Sequence, residues 1–90
     1  MTWRRYRVLG RVQGVGFRAF VARAAHAAGV HGAVRNEEDG AVVAVAGGES
    51  AALERFAAEL RAGPRHARVD AVAFEELAAR PVAERFDFDF

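Results

Sequence analysis

The sequence predicts an α+β fold, one antiparallel sheet with two helices packed on a single face, and three observations predict it. Apolar residues recur at helical spacing in two segments only, from Phe17 and again after Ser50. Alternating or wholly apolar runs occupy the stretches between them, which gives the order strand, helix, strand, strand, helix, strand. A last run, Phe86-Asp87-Phe88-Asp89-Phe90, alternates residue by residue and reads as a short fifth strand with one buried face. With 90 residues the chain holds one domain, residues 1–90, without repeat or linker.

The elements follow in order. The first strand is expected over about Arg4 to Val12, with Tyr6, Val8, Gly10 and Val12 on one face and Arg5, Arg7 and Arg11 on the other. The first helix runs from about Phe17 to Ala28, its apolar face made of Phe17, Phe20, Val21, Ala24, Ala25 and Ala28, and Gly29 ends it. A second strand spans about Val30 to Asn36. Glu37, Glu38, Asp39 and Gly40 then close a hairpin, read as a solvated turn, into a third strand over Ala41 to Ala46. Ser50 is the expected N-cap of a second helix that buries Leu53, Phe56, Ala57 and Leu60 and stops at Gly63-Pro64. A fourth strand covers about Arg68 to Glu75. The βαββαβ order is that of the ferredoxin-like arrangement.

Composition narrows the function. Thirteen arginines against twelve acids leave a net charge of +1, too even a balance for a nucleic-acid or membrane surface. The chain has no cysteine, so neither a disulfide framework nor a thiolate metal site is open to it. The N-terminus lacks the apolar core of a signal peptide, and no run reaches the length of a membrane span, so a cytoplasmic location is expected. His26, His31 and His66 share no spacing and have no ligand partners nearby in sequence; they read as solvated surface, and no metal site is expected.

Residues 10–18, GRVQGVGFR, carry the strongest signal. Gly14 and Gly16 fall in a tight strand-to-helix turn, and Arg18 falls in the first helical turn. Such a turn aims consecutive backbone N–H groups at one point, at the positive end of the helix dipole. Arg18 adds a planar, permanently charged fork suited to phosphate. The chain's one asparagine, Asn36, lies in GAVRNEEDG, residues 32–40; taken singly it reads as turn chemistry.

Together the two segments resemble the acylphosphatase family. Its first signature, G-x-V-Q-G-V-x-F-R, is met throughout by Gly10 to Arg18, and its second, G-x-V-x-N-x-x-x-G, by Gly32 to Gly40. Ala33 departs from the aromatic residue common there, which bears on packing and not on chemistry. The resemblance implies a strand order of 4-1-3-2 with the tail beside the second strand. The first and second strands are then parallel with the third between them, and two strand spacings put Arg18 and Asn36 about 10 Å apart by backbone. The resemblance also implies the activity: hydrolysis of acyl phosphates, with backbone N–H groups of Gln13, Gly14, Val15, Gly16, Phe17 and Arg18 on the phosphoryl oxygens. Arg18 is then the substrate-binding arginine and Asn36 the water-positioning residue. No cofactor is implied. Inorganic phosphate and sulfate are expected as competing anions, and a monomer as the working form.

Three other functions share some of these features. Gly14 to Ala19 fits the G-x-G-x-x-A dinucleotide pattern, but a second mononucleotide half is missing. An RNA-binding sheet needs stacking aromatics on its central strands, and the third strand has none. The acylphosphatase-type module of hydrogenase-maturation proteins, which handles carbamoyl phosphate, continues into cysteine-rich segments that are not found here.

Overall fold

The computed structural model describes residues 1–90. Its elements are β1 (Thr2–Arg11), α1 (Phe17–Ala28), β2 (His31–Asn36), β3 (Val42–Gly48), α2 (Ser50–Ala62), β4 (Arg68–Leu77) and β5 (Phe88–Asp89). The five strands form one sheet in the order β4-β1-β3-β2-β5, antiparallel at every pairing. This is the ferredoxin-like α+β fold that the element order predicts. No two neighbouring strands pair in parallel, so the adjacent parallel strands of the dinucleotide-binding unit are missing.

The periodicities explain the layers. Even-numbered Tyr6, Val8 and Val12 of the first strand segment meet Val42, Ala44 and Ala46 of β3 and Val34 of β2 in one apolar cluster. Helix α1 closes it with Phe17, Val21, Ala24, Ala25 and Ala28, and α2 with Leu53, Phe56, Ala57 and Leu60. Each large apolar side chain buried this way contributes about 1.5–3 kcal/mol. Tyr6 sits edge-on to Phe56 at 5.4 Å between ring centres. Its hydroxyl donates to the Leu53 carbonyl at 3.4 Å, and burial raises its pKa.

Several boundaries differ from expectation. Strand β1 begins at Thr2, because Trp3 pairs with both Gly47 and Leu77; β3 and β4 extend correspondingly to Gly48 and Leu77. Ser50 is the first helical residue of α2 and not its cap; Glu49 holds that place in extended conformation, without a side-chain capping bond. The tail is shorter as a strand than its alternation implies, and its aromatics do not share one buried face. Phe90 packs on Phe56, whereas Phe88 stays 39% exposed and Phe86 lies under the Arg35 guanidinium at 4.8 Å.

The sheet face away from the helices is covered by arginines. Ala33, Val43 and Val45 are buried although they are not part of the helix-side cluster. Above this face Arg5 pairs with Glu75 and Glu84, Arg35 with Glu37 and Glu84, and Arg7 with Asp39 and Glu37. The hairpin acids, read as a solvated turn, are therefore partly engaged. Asp39 accepts the Ala41 N–H at 3.0 Å, which together with Arg7 lowers its pKa. Ala33 occupies a tight interior place between Val45 and Asp89 of the adjoining strands. No helix is long and apolar enough to cross a membrane.

Candidate functional site

Between β1 and α1 the chain reverses within five residues. Gly14 and Gly16 both adopt left-handed backbone, with φ of +76° and +75°. Gly16 is also the N-cap of α1 and supplies no side chain to its first turn. The N–H groups of residues 14–19 consequently donate no intramolecular hydrogen bond; the first to do so is that of Phe20, to the Gly16 carbonyl at 3.1 Å. Six successive donors at a helix N-terminus leave an exposed, electropositive stretch of backbone suited to an anion. An ideal Cβ on either glycine would meet nothing within 4 Å, so the stretch is open to solvent there.

The other loop residues have distinct roles. Phe17 is buried in the core and offers the site only its backbone, and Val15 packs partly against the same cluster. The Gln13 amide nitrogen donates to the carbonyls of Glu37 at 2.7 Å and Ala41 at 3.0 Å. These bonds tie the loop to the β2–β3 turn, the supporting role that its position in the motif suggests. Arg18 points outward with 41% of its side chain exposed.

Asn36 ends β2, where it pairs with Val42 of β3, and Val42 pairs in turn with Val8 of β1. The C-terminal ends of β1 and β2 thus emerge on the same sheet edge. Beside Asn36 lies an open polar cleft of about 410 Å³ lined by Arg35, Asn36, Glu37, Glu38, Glu84, Arg85 and Asp87. A larger groove of about 540 Å³ between α1 and α2 contains neither Arg18 nor Asn36.

Asp87 is the residue that sequence reasoning missed. Its Oδ2 accepts from Arg18 Nη1 at 2.7 Å and from the Asn36 backbone N–H at 2.9 Å, so both candidate residues meet on one oxygen. The Asn36 N–H, and then the Arg18 guanidinium, hold its carboxyl below the usual carboxylate range. In the sequence Asp87 is one acid of an alternating tail, and nothing there distinguishes it from Asp89. His26 on α1, His31 on β2 and His66 in the turn before β4 are all exposed.

Comparison with known proteins gives one answer. The family model described as Acylphosphatase matches residues 4–88. The acylphosphatase of Koribacter versatilis (strain Ellin345) is 52% identical over 75 residues, which span 83% of this chain and 68% of the relative. Among solved structures, the acylphosphatase from Bacillus subtilis is similar with a TM-score of 0.84 and 37% identity over 88% of each chain. That from Coxiella burnetii has a TM-score of 0.84 and 34% identity, covering 92% of this chain and 87% of its own.

Proposed function

The chain belongs to the acylphosphatase family and is a hydrolase of small acyl phosphates, and we propose how its residues perform that reaction. Backbone N–H groups of Gln13 to Arg18 and the Arg18 guanidinium hold the phosphoryl group, and Asn36 orients the water that attacks in line. The observation that carries this reading is the run of six unpaired N–H groups from Gly14 to Ala19, which includes five of these six donors and leads into α1 with Arg18 in its first turn.

The chemistry needs little more. An acyl phosphate expels a carboxylate, whose conjugate acid has a pKa near 4 like a side-chain carboxyl, so departure requires no general acid. Charge spreads over the phosphoryl oxygens in the transition state, and donors already fixed toward them lower the barrier. Arg18 binds through its unengaged Nε and Nη2, since only Nη1 is taken by Asp87. The Asn36 side chain has both a donor and an acceptor for the water, and, unlike the backbone N–H that donates to Asp87, its carboxamide makes no intramolecular hydrogen bond. The water's proton passes to a phosphoryl oxygen of the substrate. Neither a metal nor a phosphoenzyme enters this sequence.

The same reading includes inorganic phosphate and sulfate as competitive inhibitors, because either anion suits these donors. It also includes a monomeric, cytoplasmic protein, in keeping with a cysteine-free sequence. The deciding experiment is a steady-state assay on benzoyl phosphate beside a simple phosphomonoester, with and without chelator. Turnover of the first alone, unchanged by chelation, is expected. Comparable rates on both substrates, or loss in chelator with recovery on adding a divalent cation, would contradict the mechanism. Light scattering tests the monomer, which a mass of two chains would refute.

A further inference from the structure

We propose that Asp87 is a positioning residue, holding the Arg18 side chain and the Asn36 backbone in register through one carboxylate oxygen. The inference rests on the roles given above to Arg18 and Asn36.

Asp87 is itself fixed from both sides. Its backbone N–H donates to the Val34 carbonyl at 2.8 Å, and the following residues pair with β2, Phe88 with Val34 and Asp89 with Ala33. Beyond them Phe90 and Gly32 exchange hydrogen bonds of 2.8 and 3.1 Å, and the Phe90 ring rests 5.9 Å from that of Phe56. The carboxylate is thus anchored through the sheet to the core. Arg18 has no comparable support: Asp87 is the only hydrogen-bond and ion-pair partner of its guanidinium.

Two roles are open to a carboxylate in this place, and the geometry favours one. An acid that mimics substrate would occupy the bidentate edge of the arginine and fill the loop. Asp87 instead uses one oxygen on Nη1 alone, leaves Nε and Nη2 unengaged, and spends the same oxygen on Asn36. Such a contact steadies the fork while keeping its phosphate-binding donors available. The two side chains are 41% and 39% exposed, so the pair adds little to stability and its effect falls on geometry. A long arginine left untethered would sample many rotamers, and small misplacements of a binding group are costly to rate.

The test compares Asp87→Ala, Asp87→Asn, Asp89→Asn and Arg18→Gln by kcat, KM and competitive inhibition by inorganic phosphate. Asp87→Ala is expected to raise KM and weaken phosphate inhibition by about tenfold. Asp87→Asn should recover part of this loss, because its amide oxygen still accepts from the Asn36 N–H and from Arg18. Asp89→Asn makes the same charge change two residues away, beside Arg80 and not Arg18, and should leave both constants at wild type. Tighter phosphate inhibition in Asp87→Asn would overturn the proposal and make Asp87 a competing anion. So would unchanged constants with only a lowered melting temperature, which is what a purely structural tie predicts. If Arg18→Gln abolishes phosphate inhibition while the Asp87 variants match wild type, the Asp87 role alone fails. If Arg18→Gln keeps wild-type inhibition, the site assignment fails with it.

Discussion

Gly14→Val isolates the backbone contribution to the anion site, because Gly14 sits at φ +76° with nothing within 4 Å of the place a Cβ would take. A new side chain there meets no wall, and the cost of the substitution lies in the dihedral. Left-handed backbone costs an L-residue about 1–2 kcal/mol, and β-branching makes it less favourable still. The loop is free to relax toward negative φ, which turns its N–H groups away from their common point. If relaxation is favoured by about 1.4 kcal/mol, the binding-competent loop is outnumbered roughly tenfold and phosphate affinity falls by about that factor. Phosphate at a hundred times its wild-type Kd adds about 2.7 kcal/mol to stability; at the variant's weaker Kd the same concentration adds about 1.4. The difference removes roughly 5–10 °C from the phosphate-induced rise in Tm of a domain this small. Thermal unfolding with and without phosphate measures it, once circular dichroism shows that the variant folds. A folded Gly14→Val protein with the full wild-type shift would show that the left-handed turn does not make the anion site.

The side chains separate by role. Arg18→Gln should abolish phosphate binding and turnover together, and Arg18→Lys should restore little, since a point charge cannot reproduce the fork. Asn36→Ala should keep near-normal phosphate affinity while losing about 10²–10³ in rate, and wild-type turnover in the folded variant would reduce Asn36 to a turn residue. On the open sheet face, Glu84→Ala leaves Arg5 and Arg35 without their shared partner; a loss of about 1–2 kcal/mol by urea unfolding is expected for this partly exposed network, and no change would refute it. Asp39 and Asp87 have pKa values lowered by folding, so their stabilisation is complete above the ordinary carboxyl value and is lost as pH falls through the lower, folded one. Acid unfolding of Asp39→Asn and Asp87→Asn should therefore be less steep than that of wild type below about pH 4, and parallel curves would count against it.

Local signals were legible where one element decides them. Helix α1 runs from Phe17 to Ala28 as its periodicity requires, because the apolar stripe, the entering Gly16 and the terminating Gly29 all act within the segment. Where a boundary depends on a neighbouring strand it was not. Nothing near Thr2 or Leu77 announces a strand end; each is ordered by pairing through Trp3 with a distant segment. The arginine row of β1 shows the same limit. Alternation puts Arg5 and Arg7 on the outer face correctly, yet their partners Glu84 and Asp39 lie 79 and 32 residues away, so a solvated face and an ion-paired roof look alike in sequence.

The candidate site divides along the same line. Its donors come from a contiguous run, and a strand-to-helix turn with two glycines dictates free N–H groups whatever surrounds it. Asn36 is separated from that run by a whole helix and strand, so its place follows only from the sheet order. With β3 between β1 and β2, both chain reversals fall on one edge, and Gln13 then bonds the Glu37 and Ala41 carbonyls across the gap. Asp87 lies outside both signatures and depends on one further condition, that the last strand add to β2 in the register Val34 with Phe88. That register is set by Phe90 reaching Phe56 and by the Gly32–Phe90 bond pair, none of which a two-residue alternation specifies. A one-residue slip would send Asp87 away from Arg18 and bring Phe86 or Phe88 toward it. The carboxylate in contact with both candidate residues is therefore placed by tail packing, and truncating Phe90 to alanine should disturb phosphate binding from a position that touches neither Arg18 nor Asn36. Wild-type phosphate inhibition in a folded Phe90→Ala protein would break that link between the core and the site.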